Sequence, residues 1–130
     1  MKTKKHSFFT SFIFAWRGIL HNLFTERNMK FHFAALFLAG FMGIFFRIKL
    51  NEWLILLVFF ALIPTLELYN SALEKTCNVI RDQLHLDYPA TKLPRDLAAG
   101  AVLWSSIFAF ITGLIIFLPK IVSLITGYLY

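Results

Sequence analysis

The chain has 130 residues, a formal net charge of +6, a single cysteine and 58% hydrophobic residues, among them sixteen phenylalanines. Charged residues make up 15% of it, against about 25% in a soluble domain; so short a chain has too little interior to hide that apolar surface, which excludes a soluble globular domain and points to a membrane protein. The lone Cys77 excludes an intrachain disulfide and a cysteine metal cluster, and the basic residues bracket apolar runs without forming a stripe, so lipid headgroups and not nucleic acid are the expected anionic neighbours.

The opening "MKTKKHSFFTSFIFAW" has the charged-then-apolar order of a secretory signal, but Arg17 interrupts it and no small-residue cleavage site follows, so it reads as retained. Phe9, Phe12, Ile13, Trp16, Ile19, Leu20 and Leu23 recur at spacings of three and four, while Thr10, Arg17, His21 and Asn22 take other faces. This predicts an amphipathic helix over 7–26 with Ser7 as N-cap, lying in the cytoplasmic membrane interface.

The first span is predicted over 31–46, short but flanked by Lys30 and Arg47, which snorkel, with Gly40 and Gly43 leaving room for a neighbouring helix. The second covers 53–74, with Trp53 at one interface and a kink expected at Pro64. Residues 75–96 break the hydropathy with two prolines and seven charges and read as a polar cytoplasmic loop. The third span covers 97–119, its small residues Ala98, Ala99, Gly100 and Ala101 suited to close helix packing, with Lys120, Tyr128 and Tyr130 near its far side. Six Lys and Arg precede the first span and four lie between the second and third, against two in the intervening turn and one near the C-terminus. That bias places the N-terminus and the polar loop in the cytoplasm and, after three crossings, the C-terminus outside. The whole is one membrane domain over 1–130, all-α.

The stretch "LELYNSALEK" poses the chemical question, because a carboxylate at membrane depth is costly. On a helix advancing about 100° per residue, Glu67, Asn70, Ser71, Glu74 and Asn78 fall on one stripe. Glu26, Arg95 and Asp96, at the ends of their own helices, are expected at the cytoplasmic depth of Glu74. Facing carboxylates with no neutralising base suggest a divalent cation, and hard oxygen ligands suit Mg²⁺ carried with a nucleotide phosphate. Glu67 lies deeper, where desolvation suits it to take a proton from an alcohol. The competing reading is structural: the acids pair with Arg81, Arg95 or Lys92 and hold helices together.

Three blocks, "TERNMKFHF", "LELYNSALE" and "RDLAAGAVL", resemble in content and order those of the prokaryotic diacylglycerol kinase family, which includes undecaprenol kinases; the likeness covers roughly residues 8–117, and the E-x-x-N-[ST]-A-[IL]-E block is specific. The resemblance implies a small lipid kinase of the bacterial cytoplasmic membrane, with an interfacial helix and three spans per chain. It implies a homotrimer whose active sites are shared between chains, taking lipid from the bilayer and Mg-ATP from the cytoplasm. It implies phosphorylation of diacylglycerol or undecaprenol. By position, Glu26 and Glu74 match the metal-binding acids, Glu67 the base and Asn70 the polar residue between them; Arg95, Asp96, Ser71, Asn78 and Arg17 fall on the nucleotide side. There is no G-x-x-x-x-G-K-[ST] stretch, which excludes a P-loop.

The chain also departs from the family pattern. Arg95 replaces a lysine, Asn78 replaces an aspartate, Pro94 replaces a small residue, and the polar loop is about three residues longer. These departures keep open an impaired member of the family, or a non-catalytic membrane protein in which the acids are structural.

Overall fold

The computed structural model describes residues 8–127, and Ser7, Tyr128 and Tyr130 lie outside them. Every regular element among the described residues is helical: α1 (Phe8–Thr25), α2 (Arg27–Phe45), α3 (Leu50–Leu84), a single 3₁₀ turn (Tyr88–Thr91) and α4 (Lys92–Thr126). Three of these segments are long and apolar enough to cross a membrane: Arg27–Phe45, Leu50–Leu84 and Tyr88–Thr126.

Helix α2, with 19 residues, is roughly 28 Å long, close to the hydrocarbon thickness of about 30 Å. Helices α3 and α4 have 35 residues each, roughly 52 Å, so both project well beyond the apolar layer. This corrects the expected loop over 75–96, since α3 runs to Leu84 and α4 begins at Lys92, leaving a connection of only a few residues around the 3₁₀ turn. Polar composition there marks where the membrane ends and not where the helix ends, because a helix satisfies its own backbone in water as well as in lipid. Pro94 fits the first turn of α4, where its missing N–H is one that has no intrahelical partner in any case. Helix α3 continues through Pro64, and the hydroxyl of Thr65 bonds the carbonyl of Ala61 at 2.8 Å.

The α2–α3 turn is built tightly. Arg47 takes a left-handed backbone, φ 50°, and the N–H of Ile48 returns to the carbonyl of Gly43 at 3.1 Å. A methyl group on Gly43 would meet the Trp53 ring at 2.8 Å, so glycine is what lets α3 fold back so closely. Phe60 likewise approaches Gly40, so the room expected beside the α2 glycines is taken by α3 of the same chain. Glu52 caps the start of α3 by accepting from the N–H of Lys49 at 2.7 Å, and Lys120 of α4 bonds the same carboxylate at 2.6 Å.

Helix α3 packs chiefly on α4 and secondarily on α2, around Ile48, Leu56, Ile116 and Phe117. Of the small residues opening the third span, Ala98 is buried, while Ala99, Gly100 and Ala101 are exposed. On α1 the buried residue is Asn22, 4% exposed, although periodicity placed it on the polar face.

Candidate functional site

Glu26 stands in the one-residue break between α1 and α2, with an extended backbone that lets α2 leave α1 in a new direction. Its side chain makes no capping bond. Instead it pairs with Lys75 of α3, Nζ to Oε1 3.3 Å. The break therefore aims a carboxylate from one segment at the polar stripe of another, and the N-terminus of α2 favours a negative charge there.

On α3, Glu67 is 2% exposed and Ser71 is buried beside it, Asn70 and Asn78 are half-buried, and Glu74 is exposed one turn further out. The Asn28 side chain and the charges of Glu26 and Glu74 all act on the Glu67 carboxyl. Three acids from the α1–α2 break and from α3 thus converge at one end of the bundle within a single chain. Glu67 Oε2 is buried with no partner among the described residues, an arrangement that costs several kcal/mol unless something outside the chain completes it.

Expectation and structure part at Glu26. A base does neutralise Glu26, contrary to the premise drawn from sequence: Lys75 is adjacent in sequence to Glu74 but reaches across to the other acid. Arg95 and Asn78, two of the positions read from sequence as departing from the family pattern, are bonded to each other, Nη2 to Oδ1 2.8 Å. Arg17 and Asp96 are exposed on α1 and α4. Sequence reasoning overlooked Asn22, Asn28, Lys75, Tyr88 and Thr91. Asn22 and Asn28 flank Glu26 within one helical turn on either side, a spacing that marks them as neighbours of the acid.

No group of three or more acids, histidines or cysteines among the described residues is gathered tightly enough to ligate a metal by itself. Two carboxylates are nevertheless the usual protein share for Mg²⁺, whose other positions go to phosphate and water. Glu26 and Glu74, whose charges both act on Glu67 with its orphaned oxygen, are two carboxylates of the kind that requirement calls for.

An apolar groove of about 410 Å³ runs between α2, α3 and α4. Ile63, one turn from Glu67, and His32, one turn from Asn28, line its inner end, and it extends along α4 from Ser106 to Ile121, roughly 22 Å of helix rise.

The model of the family described as prokaryotic diacylglycerol kinase matches residues 13–117. The chain is 38% identical over 120 residues to an undecaprenol kinase of Bacillus subtilis, covering 92% of this chain and 95% of that one. It is 31% identical over 114 residues to a diacylglycerol kinase of Synechocystis sp., covering 88% of this chain and 64% of that one. No solved structure matches. A family match over most of the chain, together with three apolar helices carrying buried acid at one end, means that the protein belongs to the prokaryotic diacylglycerol kinase family.

Proposed function

We propose that this protein is a membrane kinase transferring the γ-phosphoryl group of Mg-ATP to the hydroxyl of a lipid alcohol, undecaprenol or diacylglycerol. The observation that carries the reading is Glu67: a carboxylate 2% exposed, with one oxygen unpartnered among the described residues, acted on by the charges of Glu26 and Glu74 and one helical turn from Ile63, which lines the apolar groove. Family membership and the relatives named undecaprenol kinase and diacylglycerol kinase support it.

Phosphoryl transfer asks little covalent chemistry of the protein and depends on alignment and charge neutralisation. Glu67 accepts the proton of the lipid hydroxyl as that oxygen attacks the γ-phosphorus and the bond to the β,γ-bridging oxygen breaks, so that ADP leaves; Asn70, one turn away, orients the hydroxyl. Glu26 and Glu74 would hold the Mg²⁺, which when bound offsets the charge of the phosphate chain. Arg95, Asp96, Ser71, Asn78 and Arg17 form the nucleotide side. The groove takes the lipid tail laterally from the bilayer, so that the hydroxyl arrives at Glu67 without crossing water. Helix α1 lies in the cytoplasmic interface of the bacterial inner membrane with the N-terminus inside, and three chains share the sites. The open small face of Ala99, Gly100 and Ala101, where a methyl on Gly100 would meet nothing, supports close contact with a neighbouring chain.

In vesicles containing the purified protein, label from the γ-phosphate of ATP should pass to both lipids and vanish with Glu74→Ala. Full turnover by that variant would remove the metal role, and the initial rates of the two lipids in one detergent rank them as substrates. One observation favours a structural reading of the acids, the Glu26–Lys75 ion pair. That reading requires no label in either lipid and a lower melting temperature when Glu26 is replaced.

A further inference from the structure

Arg95 sits at the start of α4, where the connection from α3 returns to the bundle. Its Nη2 donates to Asn78 Oδ1 at 2.8 Å and, at 3.5 Å, to the hydroxyl of Thr91. The Tyr88 ring covers the guanidinium, whose central carbon is 5.2 Å from the ring centroid. Thr91 is itself buried, and its hydroxyl donates to the carbonyl of Tyr88 at 3.4 Å, tying the two loop residues together. Two groups of the 3₁₀ turn and one of α3 therefore hold a single guanidinium.

The partners are all neutral. Among the described residues the ion pairs are Lys75–Glu26, Arg81–Asp82 and Lys120–Glu52, and none involves Arg95. An aspartate at position 78 would orient the guanidinium and also cancel its charge, whereas the asparagine orients it and leaves the charge whole. Arg95 Nε is in addition buried without a partner among the described residues, so a strong donor is left for an oxygen from outside the chain. Asn78 is one helical turn beyond Glu74 on the same stripe, so the residue that holds this cation neighbours on α3 the acid assigned to the metal. A phosphate oxygen of a metal-bound nucleotide has the charge and the acceptor geometry that Nε requires.

We propose that Tyr88 and Thr91 are positioning residues for nucleotide binding: together with Asn78 they clamp the Arg95 guanidinium so that its Nε meets a phosphate oxygen. The inference rests on the phosphoryl-transfer reading above. The 3₁₀ turn between α3 and α4 supplies both the ring and the hydroxyl.

The test measures KM for Mg-ATP, KM for lipid, kcat and melting temperature in Tyr88→Leu, Tyr88→Phe, Thr91→Val, Thr91→Ser and Arg95→Gln. Tyr88→Leu removes the aromatic face and should raise KM for Mg-ATP about fivefold while changing kcat by less than about twofold. Tyr88→Phe keeps the ring and should restore the wild-type value, and Thr91→Ser should likewise bind Mg-ATP more tightly than Thr91→Val. KM for lipid should not move in any of these variants. Wild-type KM for Mg-ATP in Tyr88→Leu and Thr91→Val, beside a raised one in Arg95→Gln, overturns the clamp and leaves Arg95 on the nucleotide side. An unchanged KM for Mg-ATP in Arg95→Gln removes the nucleotide role of Arg95 and the clamp together. A Tyr88→Leu variant that melts earlier and loses affinity for both substrates equally overturns the proposal in favour of a purely structural link between α3 and α4.

Discussion

At the scale of single residues the central question is what Glu67 does with a buried oxygen that nothing among the described residues satisfies. If it takes the proton of the lipid hydroxyl, Glu67→Gln keeps the shape and removes the basicity, so kcat should fall roughly 10²- to 10⁴-fold with KM for Mg-ATP unchanged. A kcat within a factor of a few of wild type, from initial-rate measurements, excludes the role. Lys75 separates metal binding from ion pairing. Its partner Glu26 is about one-third exposed and the lysine about half, a pair worth at most about 1 kcal/mol. Lys75→Met frees Glu26 for a cation, so the Mg²⁺ concentration giving half-maximal rate should fall about two- to fivefold. A rise in that concentration, read from a magnesium titration, shows that Glu26 does not serve the metal. Asn22 has the same signature as Glu67, a buried unpartnered oxygen one turn before Glu26. Its burial was not legible because a single polar residue on a helix carries no sign of which neighbour will cover it.

At the scale of elements, the two ends of the bundle are held in different ways. At the end away from the acids, Glu52 and Lys120 join the first turn of α3 to α4, with 23% and 28% side-chain exposure. Lys120 also donates to the carbonyl of Ile116 at 3.0 Å, so its head is drawn inward from the lipid. Lys120→Met strands the Glu52 charge and should destabilise the fold by about 2 kcal/mol. Adding Glu52→Gln, which preserves the cap on Lys49 and removes the stranded charge, should recover part of the loss. Thermal melting of the single and double variants in detergent checks this, and additive losses rule out a coupled pair. At the acid end, α3 and α4 are joined through Arg95 and Asn78, 17 positions apart. The polar composition of 75–96 was readable as the end of the membrane, but helix continuation to Leu84 was not, because hydropathy measures the solvent of a segment and not its backbone.

At the scale of the whole molecule, the exposed surface is dominated by large apolar side chains from α1 to α4, including Phe37, Phe41, Trp104 and Phe110. A bilayer and neighbouring chains together would cover such a surface. Within one chain Glu26 and Glu74 already act on Glu67, so the structure offers a site in cis, while the proposed trimer offers one in trans. Co-assembly of Glu26→Ala chains with Glu74→Ala chains distinguishes the two. Activity regained on mixing, measured as labelled lipid, means that the acids of one site come from different chains. No recovery, with co-purification proving mixed assembly, assigns both acids to the same chain.

What the sequence alone determined was the number and order of apolar helices, the polar stripe from Glu67 to Asn78 and the family. A bilayer makes hydropathy a direct constraint on every spanning segment, and helical periodicity aligns side chains on one segment without reference to any other. Only the tertiary structure decided which side chains of different segments meet. Lys75 found Glu26 rather than remaining free, Asn78 found Arg95, and Asn22 turned inward. Such contacts depend on how whole helices cross and on where a one-residue break redirects the chain, geometry that no local pattern records.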